Sequence, residues 1–278
     1  MSSRPGRPPS AAERRFFLAV TPPARPELLP GDAEHARVVL RMVAGDRCLG
    51  LDGRGRAWPL RVTVADRKRL EVEATGDATL EIAPGEPGSA LPWIEVAFAP
   101  PRGARAEDLL DALVQLGAAA LTPLVTERST PFARGEGEGR RERWERAARE
   151  ACKQSGRSWM PELSPATDFD AFVERVRDTG AVVVRLDPRA ASTAADVVAA
   201  VLARDAGAAD GSSLDGAPGT RRRPVVLVVG PEGGFSPHEE GRLDACGARS
   251  LCLAPHVLRI ETAAQAALAV VVAHAMRR

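Results

Sequence analysis

The sequence predicts an α/β protein in two parts, a small N-terminal β-barrel and a larger domain built on an open parallel sheet. Three observations carry this reading. Residues 14–83 hold short alternating strands separated by Gly/Asp turns. A Pro/Gly-rich stretch, Ala83-Pro84-Gly85-Glu86-Pro87-Gly88, then interrupts the pattern. Beyond it strands and helices alternate, and residues 224–229 form an uninterrupted apolar run, as a sheet buried on both faces requires.

Residues 1–13 read as a disordered tail. Strand 14–20 opens the barrel domain, 14–83. Arg14-Arg15 before Phe16-Phe17-Leu18-Ala19-Val20 imitates a secretion leader, but five apolar residues before Thr21-Pro22-Pro23 are too few for a signal core. Residues 35–42 fit a short helix packed on the barrel. The run Arg47-Cys48-Leu49-Gly50-Leu51 leading into Asp52-Gly53 is a hairpin signal. Segments 57–64 and 69–74 both alternate.

A linker, 84–91, leads to the second domain, 92–278. There the expected order is strand 94–98, helix 106–116 ended by Gly117, strand 119–125 and helix 140–154. Strand 182–186, helix 194–203, strands 224–229 and 250–253, and a nearly all-apolar helix to about 276 complete it. Residues 205–220 are low-complexity Ala/Gly/Ser/Asp and read as a surface insertion.

The formal net charge is +1, which says little about a polyanion partner. Its distribution says more: residues 1–70 carry 14 Arg/Lys against 7 Asp/Glu, and the remainder 24 against 30. A basic first domain fits a nucleic-acid partner, and on charge alone fits a solvated arginine-rich surface equally. Cys48, Cys152, Cys246 and Cys252 form no C-x-x-C pair and do not cluster with histidines. The expectation is therefore no metal site and reduced thiols in a cytoplasmic protein. No apolar run is long enough to cross a membrane.

Two motifs carry the chemistry. Strand 224–229 runs directly into Gly230-Pro231-Glu232-Gly233-Gly234-Phe235, and Ser236, Pro237 and Glu239 then have the spacing of a capped helix start. A phosphate loop would need a lysine, and the dinucleotide pattern G-x-G-x-x-G is absent. What remains is exposed backbone with one carboxylate. That suits adenine and ribose read by main-chain groups beside a cation, or a tight turn with glycines for geometry alone. The second motif is Leu253-Ala254-Pro255-His256-Val257-Leu258-Arg259-Ile260-Glu261-Thr262-Ala263-Ala264. It sets an Arg and a Glu at the start of an apolar helix. Packing does not require that pair, although dipole compensation could.

Taken together, in this order and spacing, the two motifs resemble the RsmE family of SPOUT-class methyltransferases. Upstream stretches agree: His35-Ala36-Arg37-Val38-Val39-Leu40-Arg41, Leu121-Thr122-Pro123-Leu124, Glu127-Arg128-Ser129, and Cys152-Lys153-Gln154-Ser155-Gly156-Arg157 followed by Pro161. The resemblance implies a PUA-like N-terminal barrel, a trefoil-knotted parallel-sheet domain, and a homodimer. It implies S-adenosyl-L-methionine as cofactor and methylation of N3 of a uridine in 16S rRNA of the small ribosomal subunit. Gly230, Pro231, Glu232, Gly233, Gly234, Leu253, Ala254, Pro255, Val257 and Leu258 are then the expected cofactor site. Arg259, Glu261 and Glu232 are the expected catalytic residues: Arg259 to stabilise charge on the uracil, Glu261 to orient it, and Glu232 to face the cofactor or accept a proton. Arg15, Arg37, Arg41 and Arg157 are expected RNA contacts, with Arg37 and Arg41 sharing a helix face.

The chain also departs from the family pattern. Ala112 and Gln115 replace two charged positions, Ala254 replaces a glycine, and Ile260 replaces a threonine. A diverged protein that binds RNA without methylating it, or that methylates another RNA, is the alternative these changes raise.

Overall fold

A computed structural model describes residues 14–101, 103, 105–129, 138–192 and 224–276. The expected tail, the helix at 194–203 and the insertion at 205–220 lie outside the described residues. The chain divides into two compact units, one of residues up to Ala83 together with Arg149–Met160, the other of Pro84–Ala148 and Pro161 onward. Chain order alone does not reveal that Arg149–Met160 packs with the first unit.

The first unit is a sheet of β1 (Arg15–Val20), β2 (Glu27–Leu28), β3 (Arg47–Leu51), β4 (Arg56–Ala65), β5 (Leu70–Ala74) and β6 (Thr79–Leu80), ordered β2-β1-β3-β4-β5 with β6 also on β4. Strands β2 and β5 approach each other, so the sheet curls into a nearly closed barrel. Alternation along β4 buries Trp58, Leu60 and Val62, which join Phe16, Cys48 and Val72 in one core. The helix expected at 35–42 differs in position and pitch. Helix α1 covers Pro30–Glu34, and a wider π-helical turn follows over His35–Val39. Arg41 then takes a left-handed φ of 49°, past the helical end, so Arg37 and Arg41 do not share a helix face.

The second unit is an all-parallel sheet. Its strands are β7 (Ile94–Phe98), β8 (Ala120–Val125), β9 (Glu162–Leu163), β10 (Thr167–Asp168), β11 (Val182–Leu186), β12 (Val225–Val229) and β13 (Arg249–Leu251). The order is β10-β8-β7-β12-β11-β13, with β9 pairing β8. Strand β12 is therefore central and is buried at every position, as its apolar run demands. Helices α2 (Arg105–Gln115), α3 (Glu138–Ser155, whose residues from Arg149 belong to the first unit), α4 (Phe169–Thr179), α5 (Pro237–Ala245) and α6 (Ile260–Ala275) complete the described elements, and α6 packs on β7, β12 and α2.

One charge is buried in this sheet. Glu95 on β7 is 5% exposed. Its carboxylate accepts from both Nη atoms of Arg175, at 2.6 and 3.1 Å, and from Thr122 Oγ1 at 2.7 Å. This fork-to-fork pairing offsets the desolvation that would otherwise expel it.

Candidate active site

Because β12, β11 and β13 are adjacent and parallel, the loops leaving their carboxyl ends converge, the place where open α/β sheets form ligand crevices. They enclose a cavity of about 520 Å³. The β12 loop contributes Gly230 through Phe235, the β11 loop Leu186, Asp187, Pro188 and Arg189, and the β13 loop Leu253, Ala254, His256, Val257, Leu258 and Arg259. Arg128, from the turn after β8, also lines it.

The glycine loop is held from both ends. Phe235 is 7% exposed and packs against Phe169 at 5.6 Å, anchoring the loop in the core. A Cβ on Gly230 would lie 3.0 Å from the Phe235 ring, so a larger residue there would displace the anchor. Gly234 sits at φ 71°, where an L side chain is strained. Downstream, Ser236 caps α5: its Oγ accepts the Glu239 N–H, and Glu239 Oε2 accepts the Ser236 N–H, with Pro237 at the first helical position. This is the helix start that the sequence predicts.

Charge is distributed unevenly around the cavity. Arg185 is held by Ser250 Oγ and by Asp244, and Arg189 by Asp187 and Glu240. Partial burial pushes the Asp187 carboxyl up, but hydrogen bonds from Arg189 outweigh it and hold the group below its ordinary value. Arg259, by contrast, is exposed at the cavity, and its side chain makes no ion pair or hydrogen bond among the described residues. Its backbone caps α6 with extended φ/ψ of −66° and 156°.

Most of the sequence-expected cofactor residues meet here: Gly230, Pro231, Glu232, Gly233, Gly234, Leu253, Ala254, Val257 and Leu258 all line the cavity, as does Arg259, expected as catalytic. Pro255 and Glu261 are not among the lining residues. Glu261 lies 3.3 Å from Arg105 Nη1 on α2, so it fastens α6 to α2 rather than orienting Arg259. Ile260 is 5% exposed and fills core space, which accounts for an apolar residue at that position. Gln115 hydrogen-bonds Asp111 within α2.

The expected RNA arginines separate into two pairs. Arg15 and Arg157 are each 8% exposed in the interior of the first unit, where Arg15 Nη1 donates to the Lys153 carbonyl. Neither side chain is presented to solvent. Arg41 is exposed, and Arg37 is half-buried with Nη1 donating to the Arg67 carbonyl at 2.6 Å. Sequence reasoning missed Asp187 and Arg189 at the cavity, since the β11 loop carries no recognisable motif, and His256 stood within the second motif without an assigned role. Arg128 was visible within Glu127-Arg128-Ser129 but had no assigned role.

Comparison with known proteins agrees with this geometry. A family model described as an RNA methyltransferase domain matches residues 89–272, and one described as an RNA methyltransferase PUA domain matches 30–75. Ribosomal RNA small subunit methyltransferase E of a Synechocystis strain is 30% identical over 242 residues, which cover 87% of this chain and 71% of the relative. The chain belongs to this RNA methyltransferase family. The family member of the same name from Bacillus subtilis is 28% identical, with 93% of this chain and 95% of the relative covered. Among solved structures, a methyltransferase of Legionella pneumophila with the cofactor SAM bound has TM-score 0.71 at 28% identity, covering 94% and 98% of the two chains. Ribosomal RNA small subunit methyltransferase E from Neisseria gonorrhoeae, bound to S-adenosyl methionine, also gives 0.71, at 25% identity and 92% and 95% coverage.

Proposed function

We propose that the chain is an S-adenosylmethionine-dependent methyltransferase acting on N3 of a uridine in 16S rRNA of the small ribosomal subunit. The observation that carries this reading is the cavity formed by three adjacent strand-end loops, with a glycine-rich turn on one wall and, at its edge, Arg259, whose side chain has no partner among the described residues.

The residues fit the cofactor. Gly230, Gly233 and Gly234 keep side chains out of the cavity wall, and no lysine is there to demand a phosphate. Gly230–Gly234, Leu253, Ala254, Val257 and Leu258 would hold it, and when bound it supplies an electrophilic methyl group. The protein's own work is placement and charge. Arg259, permanently cationic and with no carboxylate partner among the described residues, stabilises negative charge on a uracil carbonyl oxygen as N3 loses its proton. Glu232, exposed at the glycine loop, is the candidate to take that proton. Glu261 acts at a distance, by fixing the first turn of α6 behind Arg259. The target base must be unstacked to reach the cavity.

On the first unit, Arg37 and Arg41 are the RNA contacts of this reading. The hydrogen bond from Arg37 brings the turn carrying Arg67 and Lys68 beside them, and the side chains of Arg41, Arg67 and Lys68 have no acidic partner among the described residues. A PUA-like barrel is supported by the match over 30–75. The trefoil knot of this reading rests on the family resemblance, beside an all-parallel sheet ordered β10-β8-β7-β12-β11-β13. A homodimer through α6 is supported by half-exposed Val270 and Val272 and by exposed Met276 and Val257 at its ends. No helix among the described residues is long and apolar enough to cross a membrane.

The deciding experiment is mass mapping of 16S rRNA from cells lacking the protein, with calorimetry of the purified chain and S-adenosylmethionine. A missing uridine N3-methyl, restored by the gene, supports the assignment. An unchanged map with cofactor binding retained would redirect it to another RNA, and absent binding would leave an RNA-binding protein only.

A further inference from the structure

We infer that Arg128 is a positioning residue of the cofactor loop, holding the glycine turn in its ligand-accepting shape through two backbone carbonyls. The inference rests on the function proposed above. Strand β8 is two places from β12 in the sheet, with β7 between them. The turn leaving β8 is itself fixed: the Thr126 N–H donates to Ser129 Oγ at 2.9 Å, and the Ser129 N–H to the Thr126 carbonyl at 3.1 Å. From this turn Arg128 Nη1 donates to the carbonyls of Gly233, at 2.8 Å, and Phe235, at 3.1 Å. One residue earlier, the Glu127 N–H donates to Glu239 Oε1 at 2.8 Å. Two adjacent residues therefore grip the loop and the helix that follows it.

The loop's own hydrogen bonds show what this grip decides. The Gly234 N–H is committed to the Pro231 carbonyl at 2.8 Å, and the Ser236 N–H to Glu239 Oε2 at 2.8 Å. The peptides Gly233–Gly234 and Phe235–Ser236 thus have their carbonyls on Arg128 and their N–H groups on other protein acceptors. The peptide between them, with the Gly234 carbonyl and the Phe235 N–H, has no protein partner among the described residues. A trans peptide is planar with its two polar groups opposed, so fixing both neighbours constrains the direction of the free one. Glycine alone would not do this, because positive φ at Gly234 is one of several conformations open to it. Nor do sterics: a Cβ on Gly233 would make only ordinary contact with Arg128, at 3.5 Å. The guanidinium supplies the constraint, and its planar set of donors suits two carbonyls better than an ammonium does.

The test compares R128A and R128K with the wild-type protein in ligand-free hydrogen exchange over residues 230–236, calorimetry with S-adenosylmethionine, and steady-state kinetics. In R128A the loop exchanges faster, cofactor affinity falls about tenfold, the loss expected for one charge-assisted hydrogen bond, and KM for the cofactor rises more than kcat falls. R128K is intermediate. Unchanged exchange, or an affinity within about twofold of wild type, overturns the inference. A wild-type protein that binds no S-adenosylmethionine would refute the proposed function alone, and the exchange comparison would still decide whether Arg128 holds the loop.

Discussion

Glu239 Oε1 accepts the backbone N–H of Glu127 at 2.8 Å across 112 residues of sequence, while its other oxygen closes the capping box on Ser236. One carboxylate, 1% exposed, therefore ties the end of β8 to the start of α5. Replacing it by alanine leaves two N–H donors without their acceptor, at about 1–3 kcal/mol each if they stay dry. E239A should lose about 3 kcal/mol of stability in urea unfolding. E239Q, which keeps one good acceptor oxygen, should lose less. Equal losses in the two variants would mean that packing, not acceptance, is what Glu239 provides.

Arg259 lines the cavity, and its side chain has no acidic partner among the described residues. R259A should retain S-adenosylmethionine binding within severalfold yet slow methyl transfer to small subunits by about two orders of magnitude, the usual effect of removing one charge-stabilising donor. Transfer near the wild-type rate would remove Arg259 from the chemistry. E261A tests the other half of the motif. By freeing α6 from Arg105 it should lower stability and activity together, whereas R259A lowers activity alone.

Two of the loop's three glycines, Gly230 and Gly234, should fail differently. At Gly230 an added Cβ meets the Phe235 ring at 3.0 Å, so G230A should push the anchor and weaken both folding and cofactor binding. At Gly234 no atom lies within 4 Å, and the cost is backbone strain at φ 71°. That is about 1 kcal/mol for a non-glycine residue. Differential scanning fluorimetry with and without S-adenosylmethionine separates them: G234A should unfold only slightly early and respond to cofactor, and G230A should do neither.

Asp187 gives a pH signature. Its folded-state pKa is below the ordinary 3.8, because Arg189 favours the carboxylate despite partial burial. A depressed carboxyl contributes stability that is present above its unfolded value and lost as pH falls through the folded one. The β11 wall of the cavity should therefore be constant from neutral pH down to about pH 4 and loosen below it. NMR titration of the Asp187 carboxyl checks this, and R189A should move its midpoint upward.

Cys152 is the converse case. Burial pushes its thiol up to about 12, so little thiolate exists at pH 8. Iodoacetamide at that pH should label Cys252, which is half-exposed, well before Cys152. Labelling of Cys152 at the rate of a free thiol would contradict the burial.

Sequence pattern determined the local architecture. The two-residue alternation marks β4, the apolar run marks β12, and Ser236, Pro237 and Glu239 mark the start of α5, because each depends on residues within one turn or one strand. The paired motifs also placed the glycine loop and Leu253–Arg259 in one site, by family resemblance. Only the tertiary structure decided the rest. Arg15 and Arg157 are interior, Glu261 serves Arg105, the β11 loop with Asp187 completes the cavity, and Arg128 reaches the loop after β12. Each of these joins groups distant in sequence or turns on burial. Both follow from strand order and helix packing, which periodicity and local spacing do not encode.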